Sequence, residues 1–236
     1  MKANKALLLA LLGVISCWVP ALPGDSWAQE KPQVKIPDSG VKEVMTMEGR
    51  FVRAAYNNEG YVILGYQLAN RSIGEEWMLL EVGMTVRDGV KAYTLKRDAL
   101  SIETPDGKTL PLASIEEQRK ANTAALQNRG RVQRDSINYF PPSASRPCSM
   151  TFFPDLTSPA LPQDNVELSS TRACLGRLFF HVPGGIAYGQ HWLNVKFADG
   201  LVRVPFRILT KDEEKFLSKN YKSIDKQVKD AFKPKK

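Results

Sequence analysis

Apolar residues come in short runs that alternate with polar ones, and turn residues separate the runs. From Arg172 to Pro183 the even positions Cys174, Gly176, Leu178, Phe180 and Val182 share one strand face, because successive side chains point to opposite sides. The other parity carries Leu175, Arg177, Phe179 and His181, a mixed face. Upstream, Cys148, Met150 and Phe152 repeat the apolar parity.

The turns are those of hairpins, since Asx-Gly and Asn-rich pairs supply the positive backbone angles that tight strand reversals need. Residues 50–56 and 61–70 flank Asn57-Asn58-Glu59-Gly60, and residues 76–87 and 90–95 flank Asp88-Gly89. Residues 100–104 and 108–112 flank Pro105-Asp106-Gly107, and residues 191–198 and 201–209 flank Asp199-Gly200. In the last pair Leu193, Val195 and Phe197, then Val202, Val204, Phe206 and Ile208, mark one buried face. Pro205 donates no ladder bond, which places its strand at a sheet edge or turns its open side toward solvent.

Helical patterns occur twice. Ser114 with Glu117 is a capping-box start, and the run to about Arg134 is helix-permissive but only weakly amphipathic, with Gly130 inside it. Thr210 with Glu213 opens a second helix in the same way, and Leu217, Tyr221, Ile224 and Val228 form its stripe. Between the inserted helix and the central strand, Ser136–Ser170 is a proline-rich irregular excursion. The expected fold is mainly β: an antiparallel sandwich over residues 41–209 with one helix inserted at about 114–134. A lysine-rich helix and tail follow over residues 210–236.

Cysteine usage adds a compartment. Residues 1–28 have the form of an export signal, with Lys2 and Lys5, an apolar run from Ala6 to Val19, and Ser26-Trp27-Ala28 before Gln29. The alternative is lipoprotein processing at Val14-Ile15-Ser16-Cys17, with Cys17 lipidated. Under either processing Cys148 and Cys174 remain, and an even count in an exported chain predicts a disulfide between them. Residues 29–40, with Pro32 and Pro37 among polar residues, read as a flexible lead-in. The predicted location is therefore periplasmic or secreted.

The pattern resembles that of bacterial exported immunoglobulin-like domains of unassigned function. Residues 61–70, the Pro105-Asp106-Gly107 hairpin and the run from Gly176 to Pro183 carry the likeness. The resemblance implies an immunoglobulin-like sandwich and names no activity. The long helix after Ser114 departs from a minimal sandwich of that kind.

Candidate chemistry is sparse. His181 and His191, with Cys148, Cys174 and Met150, are residue types that suit a copper or zinc site, yet no pair has the close spacing of a ligand motif. There is no Gly-x-Ser-x-Gly elbow, His-Glu-x-x-His or phosphate loop, so an enzyme would have to be of unrecognised class and no cofactor is implied. Arg129, Arg131 and Arg134 are followed by Tyr139 and Phe140, a basic patch beside aromatics on an irregular segment, which marks a binding surface. The competing reading tucks both aromatics into a satellite core. Net charge is +8 over the sequence, and residues 211–236 hold nine lysines against five acids. Such a balance admits an envelope protein, anionic lipid or a wall polymer as partner, while export argues against nucleic acid. The expectation is a non-catalytic cell-envelope module that binds or plays a structural part, with a periplasmic metal protein as the alternative.

Overall fold

The computed structural model describes residues 44–154 and 161–232, so the leader, the lead-in and the fold's start at Val41 lie outside the described residues. The chain opens with a meander: β1 (Val44–Gly49), β2 (Val52–Tyr56) and β3 (Gly60–Gly65), then a helical turn α1 (Gln67–Asn70), then β4 (Trp77–Val86). Next come β5 (Tyr93–Lys96), β6 (Leu100–Glu103), β7 (Thr109–Pro111), and helices α2 (Ile115–Lys120) and α3 (Ala124–Val132). The remainder is β8 (Arg146–Met150), β9 (Asn165–Leu168), β10 (Arg172–His181), β11 (Gly189–Lys196), β12 (Leu201–Ile208) and helix α4 (Lys211–Ala231).

These strands make a six-stranded sheet in the order β1-β2-β3-β4-β10-β8, a four-stranded sheet β12-β11-β6-β7 and a pair β5-β9. All pairings are antiparallel except β8 with β10, where Cys148 lies opposite Cys174. The disulfide joins them, with the Cα atoms 4.1 Å apart, and Cys174 is fully buried. The protein is thus mainly β. One apolar core draws on both larger sheets: Ala55, Val62, Leu64, Val82, Met84, Leu178 and Phe180 from the first, Leu193, Val195, Val202, Val204 and Phe206 from the second. Those on β10, β11 and β12 have the parity that alternation predicts, and Pro205 lies on β12, an edge strand of its sheet.

Three differences from the sequence expectations have physical causes. The Asp88-Gly89 turn closes with a Val90 N–H to Arg87 carbonyl bond, but β5 leaves β4 and pairs with β9. Leu95 is buried there in the main core and Tyr93 packs on Phe197, so tertiary burial overrides a local hairpin signal. The inserted helix is two helices, because Asn122 takes a left-handed conformation (φ 47°) that asparagine tolerates better than most residues. Finally, residues 67–70 turn into α1 where a longer β3 was expected.

The terminal helix packs on the domain. Its capping box is formed, with Thr210 N–H donating to Glu213 and Glu213 N–H donating to Thr210 Oγ1. Leu217, Ile224 and Val228 are buried, and Tyr221 donates its hydroxyl hydrogen to the Met47 carbonyl on β1 at 3.3 Å. Arg71 pairs with Glu214 at 2.6 Å and Asn70 Oδ1 accepts from Leu209 N–H at 2.6 Å, so both sides of the β12–α4 junction are tied to α1 and its C-terminal end.

Candidate functional site

The outward face of the six-stranded sheet differs in kind from its inward face. Register places Gly65 of β3 opposite Glu81 of β4, and Glu81 opposite Arg177 of β10; one step along, Ile63, Gly83 and Leu175 form the next row. Two glycines and an acid–base pair thus occupy the middle of this face.

The chain between α3 and β8 crosses this face as a strap, and the glycines are what let it approach. A Cβ on Gly65 would stand 2.5 Å from the Asp135 Cβ, and one on Gly83 would stand 2.7 Å from Phe140 Cζ. Asp135 fastens the strap twice: its N–H donates to Glu81 Oε2 at 2.7 Å, and its Oδ2 accepts from Gln67 N–H at 2.8 Å. Beyond it, Ile137, Tyr139 and Phe140 pack on Val52, Ala54 and Ile63. At the other end, Gly130 brings α3 against Leu68 and Leu79, and Arg129 forms a two-armed ion pair with Glu75.

Glu81 is 6% exposed. Its Oε1 has Arg134 Nε at 3.6 Å and Arg177 Nε at 3.7 Å, distances of charge pairing without close hydrogen bonds. Arg177 also donates to the Gly130 carbonyl at 3.0 Å. Burial pushes the Glu81 carboxyl above the usual range, and the Asp135 N–H and two guanidiniums only partly offset it. Asp135 is pushed up to about 6, again first by burial, with the Glu81 charge adding to the shift and the Gln67 N–H opposing it.

Next to these groups lies an open cleft of about 590 Å³. Its polar side is Glu81, Arg134, Asp135, Arg177 and Gln127; its apolar side is Ile137, Met150, Phe153, Leu175 and Phe179. Phe153 meets Phe179 edge to face, and Arg97 holds this part of the excursion by donating to the Phe152 and Ala113 carbonyls while its guanidinium lies over the Phe153 ring.

Of the predicted patch, Arg134 lines the cleft and is largely exposed, Arg129 is committed to Glu75, and Arg131 lies half-buried on α3. Tyr139 and Phe140 are not exposed aromatics. They form the satellite core with Val52, Ala54 and Ile63, because an irregular segment over an apolar sheet face gains more by burying its rings than by presenting them. The disulfide joins the two cysteines that shared parity and an even count pointed to. The histidines are not brought together: His181 stacks on Trp77 in the six-stranded sheet, 3.9 Å from the Glu76 carboxylate, and His191 is buried in the four-stranded sheet against Phe206. Burial pushes the His191 imidazole down. Among the described residues no group of three or more His, Cys, Asp or Glu is placed to hold a metal ion.

Sequence reasoning missed Glu81 and Asp135. A signal for the first existed, since Glu81 and Gly83 interrupt the apolar run of β4 on the parity opposite Leu80, Val82 and Met84. Asp135 had none, because the strap has no period. No protein-family model, curated protein or solved structure matches this chain.

Proposed function

We propose that the protein is an exported, non-catalytic cell-envelope module, a two-sheet sandwich of broadly immunoglobulin-like architecture that acts by contact through the cleft beside Glu81. Its strand order is a four-strand meander with β10 and β8 added, which differs from the immunoglobulin constant-type order. The likeness proposed is thus to the layered architecture. The cleft carries the reading: it has the size of ligand sites, an apolar wall and a few convergent polar groups, and it is held on a rigid sheet. Cys148–Cys174, on strands bordering the cleft, supports an oxidising compartment.

The test is crosslinking from a photoreactive residue at Asn138, which lines the cleft, in the intact envelope. Capture that disappears in an Arg134→Glu, Leu175→Gln variant with unchanged melting supports the reading. Capture that survives the variant sinks it.

One observation favours a second reading. Two neighbouring carboxyls with raised pKa values in a cleft are also what general acid–base catalysis uses. Both are engaged in fastening the strap, Glu81 by the Asp135 N–H and Asp135 by the Gln67 N–H, so the binding reading takes precedence. Turnover of any substrate by the pure protein, abolished by Glu81→Gln, would reverse that order.

A further inference from the structure

Helix α4 buries Leu217, Ile224 and Val228. With 3.6 residues per turn, Lys215, Lys219, Lys222 and Lys226 then fall about 140° to 200° around the helix from Leu217, on the side turned away from the domain. All four are exposed, and none makes an ion pair with a described residue. They span about 16 Å of helix axis at 1.5 Å per residue.

The nearby acids only partly offset this row: Asp212 and Asp230, both exposed, fall at about 220° near its two ends, which leaves four lysines against two acids on that face. Glu213 pairs with Arg207 and Glu214 with Arg71 at the first turn, and Asp225 pairs with Lys229 at 2.8 Å on the flank. Beside the row is an open hollow of about 600 Å³ lined by Arg50, Ser218, Lys219, Tyr221, Lys222 and Ser223. Arg50 donates to Ser218 Oγ at 2.8 Å, which places a third cation at the hollow beside Lys219 and Lys222.

We propose that α4 is a docking ridge for an anionic lipid surface. The row of ammonium groups lies along the membrane plane, and the hollow receives one phosphate headgroup on its hydroxyls and cations. A convex, straight cationic face meets a flat charged surface along its length. A linear polyanion, by contrast, is tracked by a groove. The apolar side of the helix is already spent on the domain, so attachment is electrostatic and peripheral, without the insertion that a free amphipathic helix makes. This ridge is separate from the cleft, and neither reading depends on the other.

The test is co-sedimentation of the full chain with vesicles of pure phosphatidylcholine or of phosphatidylcholine with phosphatidylglycerol. The apolar run from Ala6 to Val19 and the nearby Lys2 and Lys5 contribute equally in parent and variant, so the loss of anionic preference on substitution is read. The expected result is preference for the anionic vesicles at about 0.1 M salt, lost at about 1 M. Changing the four lysines to glutamine, a good helix former, should weaken anionic binding roughly a hundredfold with melting unchanged. Changing them to arginine should preserve it. The proposal is overturned if the glutamine variant binds like the parent, if the parent shows no anionic preference, or if it binds soluble polyphosphate while ignoring vesicles.

Discussion

The two faces of the six-stranded sheet are built on the same four central strands, yet they are held by different physics. The inward face meets a second sheet whose side chains alternate in the same way, and the contact is side chain against side chain, apolar but for the buried Arg53 and His191. The outward face meets a strap with no secondary structure. There the backbone must be satisfied locally, so Glu81 and Asp135 accept N–H groups from the strap and from the start of α1, and glycines at 65 and 83 give it room. One face is sealed by hydrophobic burial and the other by polar fastening beside an open cleft. The difference teaches where adaptability resides: a sealed apolar face has little room to change, whereas a fastened one can carry function.

That contrast can be tested in order of expected effect. Phe180→Ala, at a fully buried inward position, should cost about 3 to 5 kcal/mol in urea unfolding. Replacing both Cys148 and Cys174 by alanine should cost about 3 to 4 kcal/mol in the chain-entropy model, for a sequence separation of 26. A much smaller loss would mean that β8 is anchored by packing alone.

Asp135 separates the faces by sign. Its folded pKa of about 6 lies above the ordinary value of 3.8, so the folded state holds the proton more tightly. The stability it contributes is therefore fullest at low pH and is lost as pH rises through about 6. His191, pushed down by burial, contributes the opposite slope. The parent-minus-variant difference reports Asp135 together with its coupling to Glu81. Asp135→Asn, which keeps an acceptor for Gln67 N–H, should be more stable than the parent by about 1 kcal/mol near pH 7.5 and lose that advantage near pH 4.5. Equal curves for parent and variant would show that the carboxyl is solvated and that the outward face is not a buried polar contact.

The smallest effect is expected from Arg134→Ala. Its side chain is 68% exposed and 3.6 Å from Glu81, so the stability loss should be under about 0.5 kcal/mol, while contact through the cleft falls. A large loss of stability would make Arg134 a structural partner of the buried carboxylate.

What was legible without coordinates was whatever repeats. Alternation in residues 172–182 and 191–208 named the inward face residue by residue, capping boxes at Ser114 and Thr210 marked helix starts, and the shared parity of Cys148 and Cys174 predicted their bond. These are local rules, in which each side chain's direction follows from its neighbours along the chain. Only the tertiary structure decided that β5 pairs with β9, that Asn122 divides the inserted helix, that Tyr139 and Phe140 turn inward, and that Glu81, Asp135 and Arg177 meet. Those contacts join segments about 50 residues or more apart, or depend on which surface is left to cover. A short stretch of sequence carries no periodic trace of them, because their energy comes from burial against a partner elsewhere in the chain.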